Sequence, residues 1–399
     1  DMGDGDDTVN IVATGSNGTP TIANLNLTKL DGGAGNDTLN FEGTDSNTTE
    51  LTLTTGGASN FENIIGTAGG ETIKGDANAN ILKGQGGNDT LEGDAGDDTL
   101  KGGTGDDTLD GGTGTDTMTG GDGIDTFIIR ANDGSTTLAD ADIVTDFSDG
   151  TDVIGMDSIA YEDLTIAQGT GDYANHTLVS ITATGEYVLI LENTTASTIT
   201  AVDFSSTSTE AQTFTGTDGN DIFIGSAGND TFNGGAGDDE LYGHEGNDTF
   251  NITGKSGAFT DTIDGGTGTD TLDIDYTGVA DLGDFTFTYD SSTTITTLTD
   301  ANGGIIKYKN IENLTVGDYT YTEDTSTNTL WNSSEYILYM YDGGSTSSSF
   351  ITDLSGFSAS KNLTVQGSDG NDSMNLNINR DTTLTGNLTL NMGAGDDTF

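Results

Sequence analysis

The chain has no cysteine, only two histidines and only ten basic residues among 399. Without cysteine there is neither a disulfide framework nor a thiolate metal site. Ten Lys and Arg stand against 66 Asp and Glu, a formal net charge of -56. That excludes nucleic acid as a natural partner, because phosphate binding needs a basic surface. No apolar run approaches the roughly 20 residues needed to span a bilayer, so no transmembrane segment is expected. Apolar residues make up only 31%, too few for a large conventional core. At a length with room for two or three domains, many small stacked layers are the economical alternative.

Glycine is abundant, with 61 residues, and it is placed regularly. Acidity alone would suit a disordered chain, but here the carboxylates recur at a fixed interval beside glycine. Seven nine-residue units run without a gap from Gly66 to Ile128, the clearest being GQGGNDTLE, GDAGDDTLK, GGTGDDTLD, GGTGTDTMT and GGDGIDTFI. Position eight is Ile73, Leu82, Leu91, Leu100, Leu109, Met118 and Phe127. Position six is Glu71, Asn80, Asp89, Asp98, Asp107, Asp116 and Asp125. A period of nine cannot be helical, since 3.6 residues per turn would carry the apolar position around the axis. A glycine turn followed by a short strand fits, with position eight pointing inward. Two units complete one coil, so units n and n+2 stack in a parallel roll.

Stacking places Asp89, Asp107 and Asp125 in one column and Asp98 and Asp116 in the other. Such like charges repel strongly without a cation. A hard, oxygen-seeking ion relieves the conflict, and calcium tolerates the irregular coordination that turn carbonyls supply better than magnesium does. The first two units, with Glu71 and Asn80 at position six and Asn78 where glycine is usual, are expected to bind weakly or to cap the array.

These GGxGxDxUx units resemble the RTX family of secreted, hemolysin-type calcium-binding repeat proteins, which includes S-layer and adhesin-like members. The resemblance implies multiple bound Ca2+ ions, type I secretion and folding after export. It extends to a second array from Gly216, reading GTDGNDIFI, GSAGNDTFN, GGAGDDELY and GHEGNDTFN, with Asp221, Asp230, Asp239 and Asp248 at position six. An insertion from Ile252 to Asp264 interrupts it before GGTGTDTLD supplies Asp270. Isolated units supply Asp7 and Asp37 near the start, and Asp372 and Asp397 near the end. All fourteen aspartates are candidate metal ligands.

The expected fold is all-β, with parallel β-roll arrays alternating with β-sandwich or strand-rich capping segments. The boundaries read 1–65 (strand-rich, with isolated turns), 66–128 (first roll), 129–215 (capping domain), 216–273 (second roll with insertion), 274–365 (Thr- and Tyr-rich β domain) and 366–399 (further repeats, expected to continue in a longer protein). The string ADADIVTDFSDGTDVIGMDSI, followed later by TAVDF, resembles the β-rich segment that closes RTX rolls in secreted proteases and alginate epimerase modules, departing from it at Ile154, Gly155 and Met156. Closure would cover an open sheet edge. Its Asp140, Asp142, Asp146 and Asp152 read as a charged strand face, with a further ion as the alternative. The string KNIENLTVG at 309–317 echoes NFENIIG at 60–66. Trp331, Tyr336, Tyr339 and Tyr341 read as the core of an aromatic-rich sheet, with a sugar- or partner-binding face as the alternative.

Other chemistry finds little footing. The run from Asp273 to Asp284 partly satisfies an EF-hand loop but follows strand-like alternation where helix is needed. His244-Glu245 lacks the second histidine of a zinc protease, Thr249 stands where a phosphate loop needs its leading glycine, and no GxSxG elbow occurs. No catalytic residues are expected, and the chain is read as a non-enzyme. The expectation is a secreted protein of the bacterial cell surface with a structural or adhesive role, as an S-layer, adhesin or matrix fibre. Its partners would be calcium ions and either further copies of itself or a cell-surface polysaccharide. The alternative is the export and folding module of a secreted enzyme such as a protease, lipase or polysaccharide-modifying enzyme.

Overall fold

The computed structural model describes residues 2–12, 27, 30–42, 49–290 and 292–324, and beyond them the backbone of six short strands between 329 and 391. Trp331 and Tyr339 lie on two of those strands, but the contacts of their side chains fall outside what is described, as do Tyr336, Tyr341, Asp372 and Asp397. The described elements are strands and three-residue 3-10 turns, and among the described residues no helix is long and apolar enough to cross a membrane. Two compact units divide the chain, Asp1–Thr207 and Ser208–Phe399.

In the first unit, alternate repeat strands go to alternate sheets. One sheet stacks Thr8–Val12, Thr38–Glu42, Asn63–Ile65, Ile81–Gly86, Thr99–Thr104, Thr117–Asp122 and Ile143–Val144 in parallel, and ends on the antiparallel strands Glu186–Leu191, Thr177–Ile181 and Leu164–Gln168. The opposed sheet runs in parallel from Thr49–Thr52 through Glu71–Lys74, Thr90–Glu92, Thr108–Asp110, Thr126–Arg130 and Val153–Asp157 to Phe204–Ser206. The register advances by 18 residues in the array, Leu91 opposite Leu109 and Leu82 opposite Leu100. The sheets therefore cross positions 65 and 128 without a break. The strands on either side share one ladder because they bury the same apolar row.

That row is the core. The seven position-eight residues from Ile73 to Phe127 are all fully buried, each worth about 1.5–3 kcal/mol by burial. In the second unit the same position carries rings. Phe232 stacks on Phe214 with centroids 4.8 Å apart and on Phe250 at 4.7 Å, the rings nearly parallel in both pairs. Its parallel strands are Thr213–Thr215, Thr231–Asn233, Thr249–Thr253, Thr271–Asp275 and Asn313–Val316 in one sheet, and Ile222–Ile224, Glu240–Tyr242, Phe259–Asp264 and Gly304–Lys309 in the other. Antiparallel strands extend both sheets. Phe285–Asp290 and Ile295–Asp300 continue the second through Gly304–Lys309, and Tyr319–Asp324 pairs with Asn313–Val316 in the first.

The segment Ile252 to Asp264 is less of an interruption than its composition suggests. Glu240 pairs with Thr262 and Leu241 with Ile263, so residues 256–264 form a degenerate nonapeptide in phase with its neighbours. Only four residues, from Ile252 to Lys255, are extra. Asp261 is its position six and Ile263 its position eight.

Candidate metal centres

Each glycine turn aims its position-six side chain along the stack. The Asp107 carboxylate accepts the amide N–H of Asp89 on Oδ1 at 2.7 Å, and Asp125 accepts that of Asp107 at 2.9 Å. Asp89 does the same for Glu71, and Asp152 for Asp125. The opposite column runs Asn80, Asp98, Asp116 and Asp142 by the same bond. One carboxylate oxygen is thus spent on pinning the layer before it.

The second oxygen is different. Oδ2 of Asp7, Asp37, Asp89, Asp98, Asp107, Asp116, Asp125, Asp248, Asp261 and Asp270 is buried with no hydrogen-bond partner. An ionised oxygen in that state is costly unless a cation meets it. A methyl group added at Gly102 would be driven into Oδ2 of Asp107 and the carbonyl oxygen of Gly120, and one at Gly93 into Oδ2 of Asp98 and the carbonyl oxygen of Gly111. Two acceptors from successive layers therefore converge over the position-one glycine. Oxygen-only donors, carboxylate and carbonyl together, are what calcium selects, and these residues fit it. Among the described residues no three or more His, Asp or Glu side chains converge as a metal cluster. The donors are divided instead between one carboxylate per layer and the turn backbone.

Burial of the columns shows in the acid equilibria. Burial is the leading cause that pushes Asp89 and Asp98 up to about 7 and Asp107, Asp116 and Asp125 up to about 6. For Asp107 the amide of Asp89 pulls the other way, and the neighbouring charges of Asp125 and Asp106 add to the rise. Asp248 and Asp270 follow, to about 7 and about 6.

The turns come in two forms. Where Oδ2 lacks a partner, position two has positive φ: Gln85, Asp94, Gly103, Gly112 and Gly121 in the first array, and His244 and Gly266 in the second. At Thr67, Asp76, Thr217 and Ser226 φ is not positive, and the N–H of that residue caps its own position-six side chain. These are the first two units of each array. Asp221 accepts Thr217 N at 2.7 Å, and Asp230 accepts both Ser226 N at 2.6 Å and Ser226 Oγ. Both were expected as metal ligands. The structure gives both of them internal donors, as it does Glu71 and Asn80. Asp239 is also partnered, by Lys255 Nζ at 2.7 Å.

Sequence reasoning missed several members of the columns. Glu62 accepts the N–H of Asp37, and Glu312 that of Asp270, both at 2.7 Å. They stand in the two echoed strings NFENIIG and KNIENLTVG, whose Asn60 and Asn310 share positive φ and bond through Nδ2 to Asp31 and Asp264. The echo was the available signal for a glutamate in the position-six role. Asp142, pushed up to about 8 chiefly by burial, and Asp152 extend the columns beyond the array. Asp146 caps Gly120 N and Gly121 N. Asp140 heads no column; its carboxylate accepts from Ser135. At the partial EF-hand, Asp281 and Asp284 form the capping box of a 3-10 turn.

A family model matches the repeat turns. The RTX calcium-binding nonapeptide repeat (4 copies) matches residues 29–44, 65–100, 92–127, 215–250 and 255–273, the last covering the degenerate unit and Lys255. No curated protein matches. Among solved structures, the AlgE6R3 subunit of the Azotobacter vinelandii mannuronan C5-epimerase is 26% identical, with 34% of this chain and 77% of that one covered and a TM-score of 0.16. The extracellular lipase LipA from Serratia marcescens is 19% identical over 61% of this chain, with a TM-score of 0.18, and the matched part spans 38% of the lipase.

Proposed function

Because this chain carries RTX calcium-binding nonapeptide repeats, we propose that it is a secreted structural or adhesive segment, exported unfolded and set by calcium outside the cell. The columns of partnerless Oδ2 atoms carry the reading. Bound calcium supplies positive charge and oxygen coordination between successive turns. Without it, neighbouring carboxylates about 4.8 Å apart oppose each other by about 3 kcal/mol per pair at an effective dielectric near 20. With a site affinity of about 10⁻⁴ M and external calcium about a hundredfold higher, each occupied site adds about 2.7 kcal/mol to the folded state.

The structural role rests on repetition. Two units built on the same plan follow one another in the chain, each with opposed parallel sheets, an array that begins with two self-capped turns and a glutamate layer of the NxEN type. Stacked repeats of this kind make extended surfaces for contact with further copies or with polysaccharide. The chain itself is proposed to be non-catalytic. Electron microscopy and sedimentation of the purified segment test this, and sheets, fibres or retention on a cell-surface polysaccharide are expected with calcium and not with chelator. A strictly monomeric, non-adhering product after calcium loading would contradict it and favour the folding module of a secreted enzyme.

A further inference from the structure

One layer of the second unit brings its own cation. Lys255 is buried, at 3% exposure, in a chain with so few basic residues that most lysines have no reason to leave the surface. Its Nζ donates to Asp239 Oδ2 at 2.7 Å, to Asp261 Oδ1 at 2.8 Å and to the carbonyl oxygen of Gly237 at 3.0 Å. Three donors meet three acceptors, which is the full capacity of an ammonium group. The face of Phe259 lies 5.0 Å from the same nitrogen and closes the site.

The acceptors are those of the other layers. Asp239 and Asp261 are successive position-six residues, joined by the usual column bond from Asp239 N to Asp261 Oδ1 at 3.1 Å. Asp239 Oδ2 is the atom whose counterparts in Asp248 and Asp270 have no partner. The four extra residues, Ile252 to Lys255, deliver the ammonium to it over the turns at Gly254 and Gly257, both with positive φ.

We infer that Lys255 is a tethered replacement for the one calcium ion that Asp239 Oδ2 would otherwise meet, making the Asp239 turn a metal-independent seed for the second unit, while Asp261 Oδ2 stays partnerless like those of Asp248 and Asp270. The surroundings suit a seed. The strand Phe259–Asp264 pairs along its full length with Gly304–Lys309, which forms an antiparallel pair with Ile295–Asp300. Phe259 packs edge-on against Tyr276, whose hydroxyl donates to Asp300 at 2.9 Å. None of these contacts needs an ion.

The inference rests on the calcium reading of the neighbouring turns, and counting bound calcium on the intact chain separates the two. Lys255→Ala is expected to bind one more calcium ion per chain than the parent. An unchanged count in a folded variant would overturn the inference, whereas a parent that binds no calcium would overturn the calcium reading itself. Should Lys255→Ala fail to fold, hydrogen exchange of the parent in chelator decides. The Thr262 amide, bonded to the Asp239 carbonyl at 2.8 Å, should exchange at least about tenfold more slowly than the Thr117 and Thr126 amides, which make the same bond to Asp98 and Asp107. Equal exchange at all three would overturn it.

Discussion

At the scale of the residue, the position-six aspartate has two oxygens with separate tasks. In Asp107, Oδ1 pins the amide of Asp89 and Oδ2 waits, buried, for a cation. Asp107→Asn keeps the first task and removes the charge from the second. Its effect should therefore change sign with calcium: more β-type circular dichroism than the parent in chelator, and a fold less stable to thermal denaturation by about 2.7 kcal/mol at saturating calcium. A loss in both conditions would mean that the charge is not the problem calcium solves. The position-one glycine makes a companion prediction. Gly102→Ala forces a methyl into Asp107 Oδ2 and the Gly120 carbonyl and should cost about 1–3 kcal/mol. Gly219→Ala meets only Thr217 Oγ1 at 3.5 Å and should be nearly neutral in the same denaturation experiment.

At the scale of the element, the column is the unit that titrates. In the metal-free roll its acids are raised to about 6 to 7 from an ordinary value near 4 in the unfolded chain. Between those limits the folded state holds more protons, so stability is greatest below about pH 4 and is lost as pH rises through about 7. The β-type circular dichroism that remains in chelator should therefore fall from pH 5 to pH 8. In calcium the dependence should weaken or reverse, because ions and protons compete for the same oxygens. Much of this element was legible in the sequence. A nine-residue period with Asp at six and an apolar residue at eight is enough to predict the paired sheets and the columns. What it could not show was which turns are already satisfied, because Asp221 and Asp230 look like Asp248 in the repeat, and only the φ of Thr217 and Ser226 separates them. The degenerate unit at 256–264 was hidden by four inserted residues that broke the phase.

At the scale of the whole molecule, a net charge of -56 and layers held open for cations make folding conditional on the medium. Each array opens on two self-capped turns, and the second also holds a lysine-bridged turn, so turns with internal donors precede the partnerless ones in both arrays. Self-repulsion keeps such a chain expanded where calcium is scarce, and the summed binding of several ions reverses this where it is plentiful. The most direct test is the far-ultraviolet circular dichroism of the intact chain, followed as calcium is added to a chelated sample and then withdrawn again. The account predicts a cooperative, reversible gain of β-type signal as calcium rises through about 10⁻⁴ M, whereas the same β-type spectrum with calcium and with chelator would contradict it.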